Sequence, residues 1–339
     1  MRRNGRSMLA AGLAIMVSGM LPGVLSGPAI AKDKVNLVLN WTPGADHAPI
    51  FYALEQGYYD KAGIDLTVES GKGSAMSAQT VGAGASPMGI AEMGTAFVAN
   101  SKGADLVAVM AIYANSPFVL YWKKSSGIAG PKDFAGRTLG NPPADAARVM
   151  WPAFAQAVGL ADGAVNFVNL APQAKMPTMV AGRVDIISDF YNGHDLKIRE
   201  LGDDLGFIRW SAVGINPYGN SIIVNRDYLM KNPDVVRNFV KVTQQAYASC
   251  VADHKPCITA LMKRASGLEE RAMMDQWGRV KELMADPYTT GTALGGFDKG
   301  RMATTYDLVK TYFSIEKPFD PQSAYTNEFL STDVKMTAP

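Results

Sequence analysis

From Val35 onward, short apolar runs rich in β-formers alternate with segments of helical spacing, and the alternation restarts once along the chain. Strands are expected at Val35–Asn40, Ile64–Val68, Met88–Ala91 and Leu106–Tyr113, with helices over Pro49–Tyr59, Ala75–Gly82 and Thr95–Ser101. The second series has strands at Phe118–Lys123, Arg137–Gly140, Val165–Leu170, Val184–Ser188 and Phe207–Trp210. Helices over Ala146–Val158 and Met176–Ala181 separate them. Parallel strands need a long crossover, usually a helix, so this repeat specifies an α/β fold with mostly parallel sheets flanked by helices. Beyond Asn225 the pattern is helical, at Asp234–Ser249, Ile258–Lys263, Leu268–Leu283 and Met302–Phe313. Such a tail, with Val236, Phe239 and Val240 on one face, needs a surface to cover, and the first lobe is expected to supply it. The chain then crosses between lobes at 113–117 and again at 212–218. That division gives lobe 1 as 32–114 with 218–339, lobe 2 as 115–217, and a hinge of two crossing segments.

The N-terminus reads as an address. Arg2, Arg3 and Arg6 precede an apolar run from Met8 to Leu25, and Ala29-Ile30-Ala31 forms a small-x-small cleavage site. Residues 1–31 are therefore expected to be a signal peptide cleaved after Ala31, delivering the chain to the periplasm. Gly12, Gly19, Pro22 and Gly23 interrupt the run and argue against a membrane anchor. Export bears on Cys250 and Cys257, the two cysteines of the chain: a close pair in an oxidising compartment is expected to form a disulfide. With His254 between them they make only three ligands, one short of a structural zinc site. A net charge of +2 over 339 residues offers no basic surface for nucleic acid.

In open α/β sheets ligands bind beyond the C-terminal ends of the strands. The loops there are 40–47, 71–74, 91–95, 113–117, 141–145 and 189–194. Trp41 and Tyr191 are the candidate aromatic faces for a planar ligand, whose rings would gain dispersion and a defined orientation by stacking. Ser74 opens a helix after Gly71-Lys72-Gly73 and can present a hydroxyl and free amides. Glu92, Asp145 and Asp189 stand at strand ends, where a carboxylate can accept from a ligand or else cap the next helix. Tyr113 and Tyr218 sit at the two crossings and join the candidate set. The loops hold little Arg or Lys, a composition that disfavours an anionic ligand. His47, His194 and His254 are scattered, and no G-x-S-x-G, H-E-x-x-H or dinucleotide fingerprint occurs, so neither catalysis nor a cofactor or metal is expected.

The stretch Asn40-Trp41-Thr42-Pro43-Gly44-Ala45-Asp46-His47-Ala48-Pro49, followed by Phe51 through Tyr59 and Ala62-Gly63-Ile64-Asp65-Leu66, resembles the opening of the NMT1/THI5-like family. Gly71-Lys72-Gly73-Ser74, Val81-Gly82-Ala83-Gly84, Met88-Gly89-Ile90 and Val180 through Asp185 continue the resemblance over essentially the mature chain. The family joins periplasmic ABC substrate-binding proteins with a thiamin-pyrimidine synthase. The resemblance implies a two-lobed type II periplasmic-binding-protein fold, with a small ligand in the cleft. Its implied partners are an ABC permease and ATPase at the inner membrane, and a monomer is expected. It supports Asn40, Trp41, His47, Ser74, Glu92, Tyr191 and Asn192 as ligand-binding positions. The synthase carries a Lys for pyridoxal phosphate and a sacrificial His just after the equivalent of Met88-Gly89-Ile90, where this chain has Ala91 and Thr95. Its cysteine cluster is replaced by Asn216-Pro217-Tyr218-Gly219-Asn220. The expectation is therefore a binder of a pyrimidine or similar heterocycle, not an enzyme. The alternatives are an alkanesulfonate, taurine or nitrate binder of the same fold, and a ligand-sensing module for a membrane receptor.

Overall fold

The computed structural model describes residues 32–161, 163–313 and 315–337; the segment read as a signal peptide lies outside them. Four strands, β1 (Asp33–Val38), β2 (Ile64–Glu69), β3 (Met88–Glu92) and β4 (Leu106–Ala111), begin one sheet. The next five, β5 (Phe118–Lys123), β6 (Thr138–Asn141), β7 (Asn166–Asn169), β8 (Ile186–Phe190) and β9 (Leu205–Arg209), build a second. β10 (Asn220–Asn225) then returns to the first. The strand orders are β2-β1-β3-β10-β4 and β7-β6-β8-β5-β9. Each sheet is parallel apart from one strand: β10 runs antiparallel to β3 and β4, and β5 runs antiparallel to β8 and β9. Those two are the strands that arrive directly from the other sheet. With no helix to turn the chain back, each enters against the direction of its neighbours. Helices cover both faces, so a strand such as β4 is buried along its whole length and reads as an unbroken apolar run.

The helices follow the sequence pattern with instructive departures. One helix was expected over Pro49–Tyr59; the structure has α1 (Ala48–Glu55) and α2 (Tyr58–Lys61), parted at Gly57, whose φ of 65° ends the first. α3 is Ser74–Gly82, and α4 (Met93–Ser101) starts two residues early because Glu92 caps it. The helix expected over Ala146–Val158 divides at Met150 into α5 (Ala146–Val149) and α6 (Trp151–Ala157). Pro152 lacks an N–H and fits the first turn of α6, not a helix interior. α7 (Lys175–Val180) and α8 (His194–Leu201) complete the second lobe. The tail comprises α9 (Arg226–Lys231), α10 (Pro233–Ala252), α11 (Lys255–Arg264), α12 (Glu270–Met284), α13 (Pro287–Gly291) and α14 (Lys299–Tyr312). α10 and α11 pack on α1, whereas α12 packs against α8 and α14 packs against both α4 and α6.

The two crossings are stitched to each other. The Ser116 amide donates to Asn216 Oδ1 (2.8 Å), and Asn216 Nδ2 donates to Asn115 Oδ1 (3.2 Å). Cys250, at the end of α10, and Cys257, on α11, have Cα atoms 6.0 Å apart, a separation a disulfide spans. Closing so short a loop constrains the unfolded chain by about 2–3 kcal/mol. Reduction with dithiothreitol is expected to lower the unfolding free energy by that amount in urea. Identical midpoints before and after reduction would show that the thiols are not joined.

Candidate functional site

A cavity of about 230 Å³ lies between the lobes, bounded by the loops that leave the C-terminal ends of β1, β2, β6 and β8. Its first-lobe wall holds Asn40, Trp41, Asp46, His47 and Ser74. Its second-lobe wall holds Asp145, Lys175, Asp189, Phe190, Asn192 and Lys197, and α12 adds Met273 and Gln276.

The polar groups of the first wall form a directed chain. The Gly44 amide donates to His47 Nδ1 (3.1 Å), which places the ring proton on Nε2. Nε2–H then donates to Asn40 Oδ1 (3.0 Å), and Asn40 Nδ2 donates to Asn220 Oδ1 (3.3 Å). Asn220 Nδ2 ends the chain on Asp46 Oδ2 (3.2 Å). Burial lowers the His47 pKa against the pull of Asp46, so the imidazole stays neutral and the chain keeps its polarity. The Gly73 amide donates to Asn40 O (2.8 Å) and fixes the Gly-Lys-Gly-Ser loop against the loop after β1. Gly73 is also where the walls meet: the Ala75 amide donates to Ala144 O across the cleft (3.3 Å). A Cβ on Gly73 would stand 2.1 Å from that oxygen, so only glycine lets the backbones approach.

The second wall is an ion cluster. Lys175 Nζ lies 3.4 Å from Asp145 and 3.5 Å from Asp189, and donates to Ser188 O (2.8 Å). Lys197 pairs with Asp189 at 2.5 Å. Burial raises the Asp145 carboxyl, and the Lys175 ammonium only partly restores it. Loss of water pushes Asp189 in the same direction, yet the ammonium groups of Lys175 and Lys197 hold it well below the usual carboxylate range. Burial likewise opposes the charge on Lys175, but Asp189 and Asp145 outweigh it and raise its pKa. The Lys175 ammonium also stands 4.6 Å from the centre of the Trp41 ring, so the two lobes touch through a cation–π contact.

Of the residues expected at the site, Asn40, Trp41, His47, Ser74, Asp145, Asp189 and Asn192 line the cavity, whereas Glu92, Tyr113, Tyr191 and Tyr218 lie outside it. Glu92 is fully buried as the cap of α4, where it accepts from the Gly94 and Thr95 amides (3.0 and 2.8 Å) and the Thr95 hydroxyl (3.0 Å). Tyr113 is buried beside Asp46 with its hydroxyl unpartnered among the described residues. Tyr218 packs on Phe297, and its hydroxyl accepts from the Asp298 amide (2.8 Å). Tyr191 is held behind the cavity wall, its ring 4.0 Å from the Arg209 guanidinium and 5.2 Å from that of Arg279. Its neighbour Phe190, whose ring also packs on Phe118 (centroids 5.8 Å apart), is the second aromatic residue bordering the cavity. The expectation of a cleft short of cations is corrected: Lys175 and Lys197 both reach it, although both arrive paired with carboxylates. Lys175 stands outside the six loops named from the sequence and opens the helix that follows β7, at another strand end. Asp46 and Phe190 also border the cavity, from within the loops 40–47 and 189–194.

The burial of Glu92 has a pH signature. Loss of water pushes its carboxyl up to about 7, against the hydrogen bonds from Thr95 and Gly94. The folded protein therefore holds this proton more tightly than the unfolded chain. The associated stability is complete below about pH 4.5 and is lost as pH rises through about 7. Unfolding free energy is expected to fall by up to about 3 kcal/mol across that window, and Glu92→Gln should flatten the slope in urea melts. An unchanged slope in the variant would contradict this assignment.

The family model described as NMT1/THI5 like matches residues 44–255, more than half of the chain. The formylaminopyrimidine-binding protein of Halalkalibacterium halodurans is 20% identical over 234 residues, covering 68% of this chain and 71% of that protein. The riboflavin-binding protein RibY of Chloroflexus aurantiacus is 21% identical over 307 residues, covering 88% and 86%. The 4-amino-5-hydroxymethyl-2-methylpyrimidine phosphate synthase of Legionella pneumophila is 21% identical over 306 residues, covering 88% and 93%. Among solved structures, the alkanesulfonate-binding protein SsuA from Xanthomonas axonopodis pv. citri, bound to MOPS, aligns with a TM-score of 0.67 at 15% identity, covering 87% of this chain and 99% of that one. At that identity the likeness concerns the fold.

Proposed function

The chain belongs to the NMT1/THI5-like family and has the two-lobed periplasmic-binding-protein fold, and from that premise we propose that it is the exported solute-binding component of an ABC importer for a small planar heterocycle. One observation carries the reading. Trp41 from one lobe and Phe190 from the other border a cavity of about 230 Å³, below the ~300–1,000 Å³ of drug-sized pockets and scaled to one small ring system. The rim holds oriented amides, a neutral imidazole, and carboxylates paired with the Lys175 and Lys197 ammonium groups, a set suited to the ring nitrogens and amino groups of an aminopyrimidine. The pyrimidine-binding relative supports the same class. The two lobes, 32–114 with 218–339 and 115–217, would close on the ligand about the stitched crossings and present it as a monomer to a permease and its ATPase.

Two competing readings are weaker on specific grounds. An alkanesulfonate or nitrate would need free cations, but Lys175 and Lys197 are committed to Asp145 and Asp189, and Asp46 adds a further acid. A synthase that forms a Schiff base needs a lysine with a lowered pKa. Lys175 has the reverse, because two carboxylates stabilise its ammonium.

A melting-temperature panel of aminopyrimidines, riboflavin, taurine and alkanesulfonates tests the proposal. A ligand at a hundred times its dissociation constant adds about 2.7 kcal/mol, a rise of several degrees. The expected result is a shift with aminopyrimidines. A shift confined to sulfonates would replace the heterocycle reading with the anion reading.

A further inference from the structure

α12 runs along one side of the cleft from its mouth to its hinge. Near its start Met273 and Gln276 line the cavity. At its end the Asn115 amide donates to Leu283 O (3.0 Å) and Asn115 Nδ2 to Ala285 O (2.8 Å), which ties the helix to the first crossing. Between those points Asp275, Arg279 and Glu282 recur at helical spacing, and each meets an opposite charge on the second lobe. Asp275 accepts from Arg199 on α8. Arg279 donates through Nε and Nη2 to the two oxygens of Asp195 on α8, at 3.0 Å each. Glu282 accepts from Arg209 at the end of β9 (2.6 Å). Acid, base, acid on α12 thus faces base, acid, base across the lobes. Arg279 Nη1 donates in addition to the Tyr191 hydroxyl (3.1 Å), and Tyr191 lies between the cavity residues Phe190 and Asn192.

We propose that this charge zipper is a reversible latch on the cleft, with Arg279 as the positioning residue that locks the Phe190–Asn192 loop to α12 and so sets how long a ligand is held. The inference rests on the reading of the cavity as a ligand cleft. Its physical basis is exposure. The six side chains are 26–43% exposed, so each pair rehydrates as it parts and strands no buried charge. An apolar seam in the same place would resist opening. The alternating signs specify one register, because sliding α12 by a turn would bring like charges together. The bidentate Arg279–Asp195 pair fixes the orientation. Salt should loosen the latch even when the ligand is uncharged.

Arg279→Asp, Asp195→Arg and the double exchange of the two charges test it. Stopped-flow release of 4-amino-2-methylpyrimidine is expected to quicken about tenfold in either single variant, with association changed little, and to return within about twofold of wild type in the exchanged pair. Recovery by exchange is a result that a merely structural role for either charge does not give. Small-angle scattering of the ligand-free proteins supplies an arm independent of the ligand. The single variants should have larger radii of gyration than wild type, and the exchanged pair a wild-type radius. If the pyrimidine does not bind, the cleft reading fails and scattering alone decides the latch. Radii that are equal in all four proteins, or an exchange that leaves the single-variant behaviour in place, would overturn it.

Discussion

Lys175→Met is expected to lower the unfolding free energy by about 3–5 kcal/mol, the largest single effect the structure implies. The Lys175 side chain is only 4% exposed and, among the described residues, is the one cation paired with Asp145, itself 7% exposed. Methionine keeps the length and much of the volume of the chain, so the change removes charge more than packing. What remains is a buried carboxylate with the Ala147 amide (2.9 Å) and the Ser188 hydroxyl (3.4 Å) for company. Asp189 keeps its pair with Lys197, which limits the damage to one uncompensated group. Burial already raises the Asp145 carboxyl, and losing Lys175 raises it further. The folded variant then takes up a proton that the unfolded chain releases. Its stability should be closest to wild type near pH 5 and should fall further behind as pH rises. Urea denaturation of both proteins at pH 5 and pH 8 measures this. A deficit under about 1 kcal/mol that does not grow with pH would mean that water reaches the cluster.

Trp41→Ala is expected to weaken binding of the cognate heterocycle at least about 30-fold, the cost of truncating a central aromatic contact. Trp41 is the large ring of the first wall, and its position is set on both sides. Its carbonyl accepts from the Gly71 amide (3.0 Å), and Lys175 stands against the ring. Alanine removes the stacking face and also releases Lys175 toward the cavity. Trp41→Phe should restore most of the affinity, because it returns an aromatic face without the indole N–H. Dissociation constants from equilibrium dialysis separate these cases. An alanine variant within about threefold of wild type would show that the ring is not a ligand contact.

The sequence disclosed the α/β alternation because buried strands and their covering helices each leave a hydrophobic period. It also disclosed the loops at the strand ends, and Trp41, His47, Asp145 and Asp189 followed from those loops. It did not disclose orientation. Tyr191 and Phe190 are adjacent, but Phe190 closes β8 whereas Tyr191 opens a 3-10 turn, so the chain changes direction between them. That one-residue step separates the residue that borders the cavity from the ring that packs against Arg209 and Arg279. Glu92 reads from the sequence either as an acceptor for a ligand or as the cap of the next helix, and only the fold shows that its donors come from the next turn of its own chain. Lys175 was hidden for a different reason. A lone lysine at a helix start reads as a solvated charge until the fold brings Asp145 and Asp189 to it across 30 and 14 residues. The latch on α12 was likewise invisible, since Asp275, Arg279 and Glu282 look like an ordinary wet helix face until α8 is seen opposite.

Calorimetric titration of residues 32–339 with 4-amino-2-methylpyrimidine and, separately, with taurine tests the central claim most directly. The account predicts one pyrimidine per chain, a negative heat-capacity change from burial of the ring faces, and no saturable heat from taurine. Saturable binding of taurine with none of the pyrimidine would contradict it and would reassign the cleft to an anion.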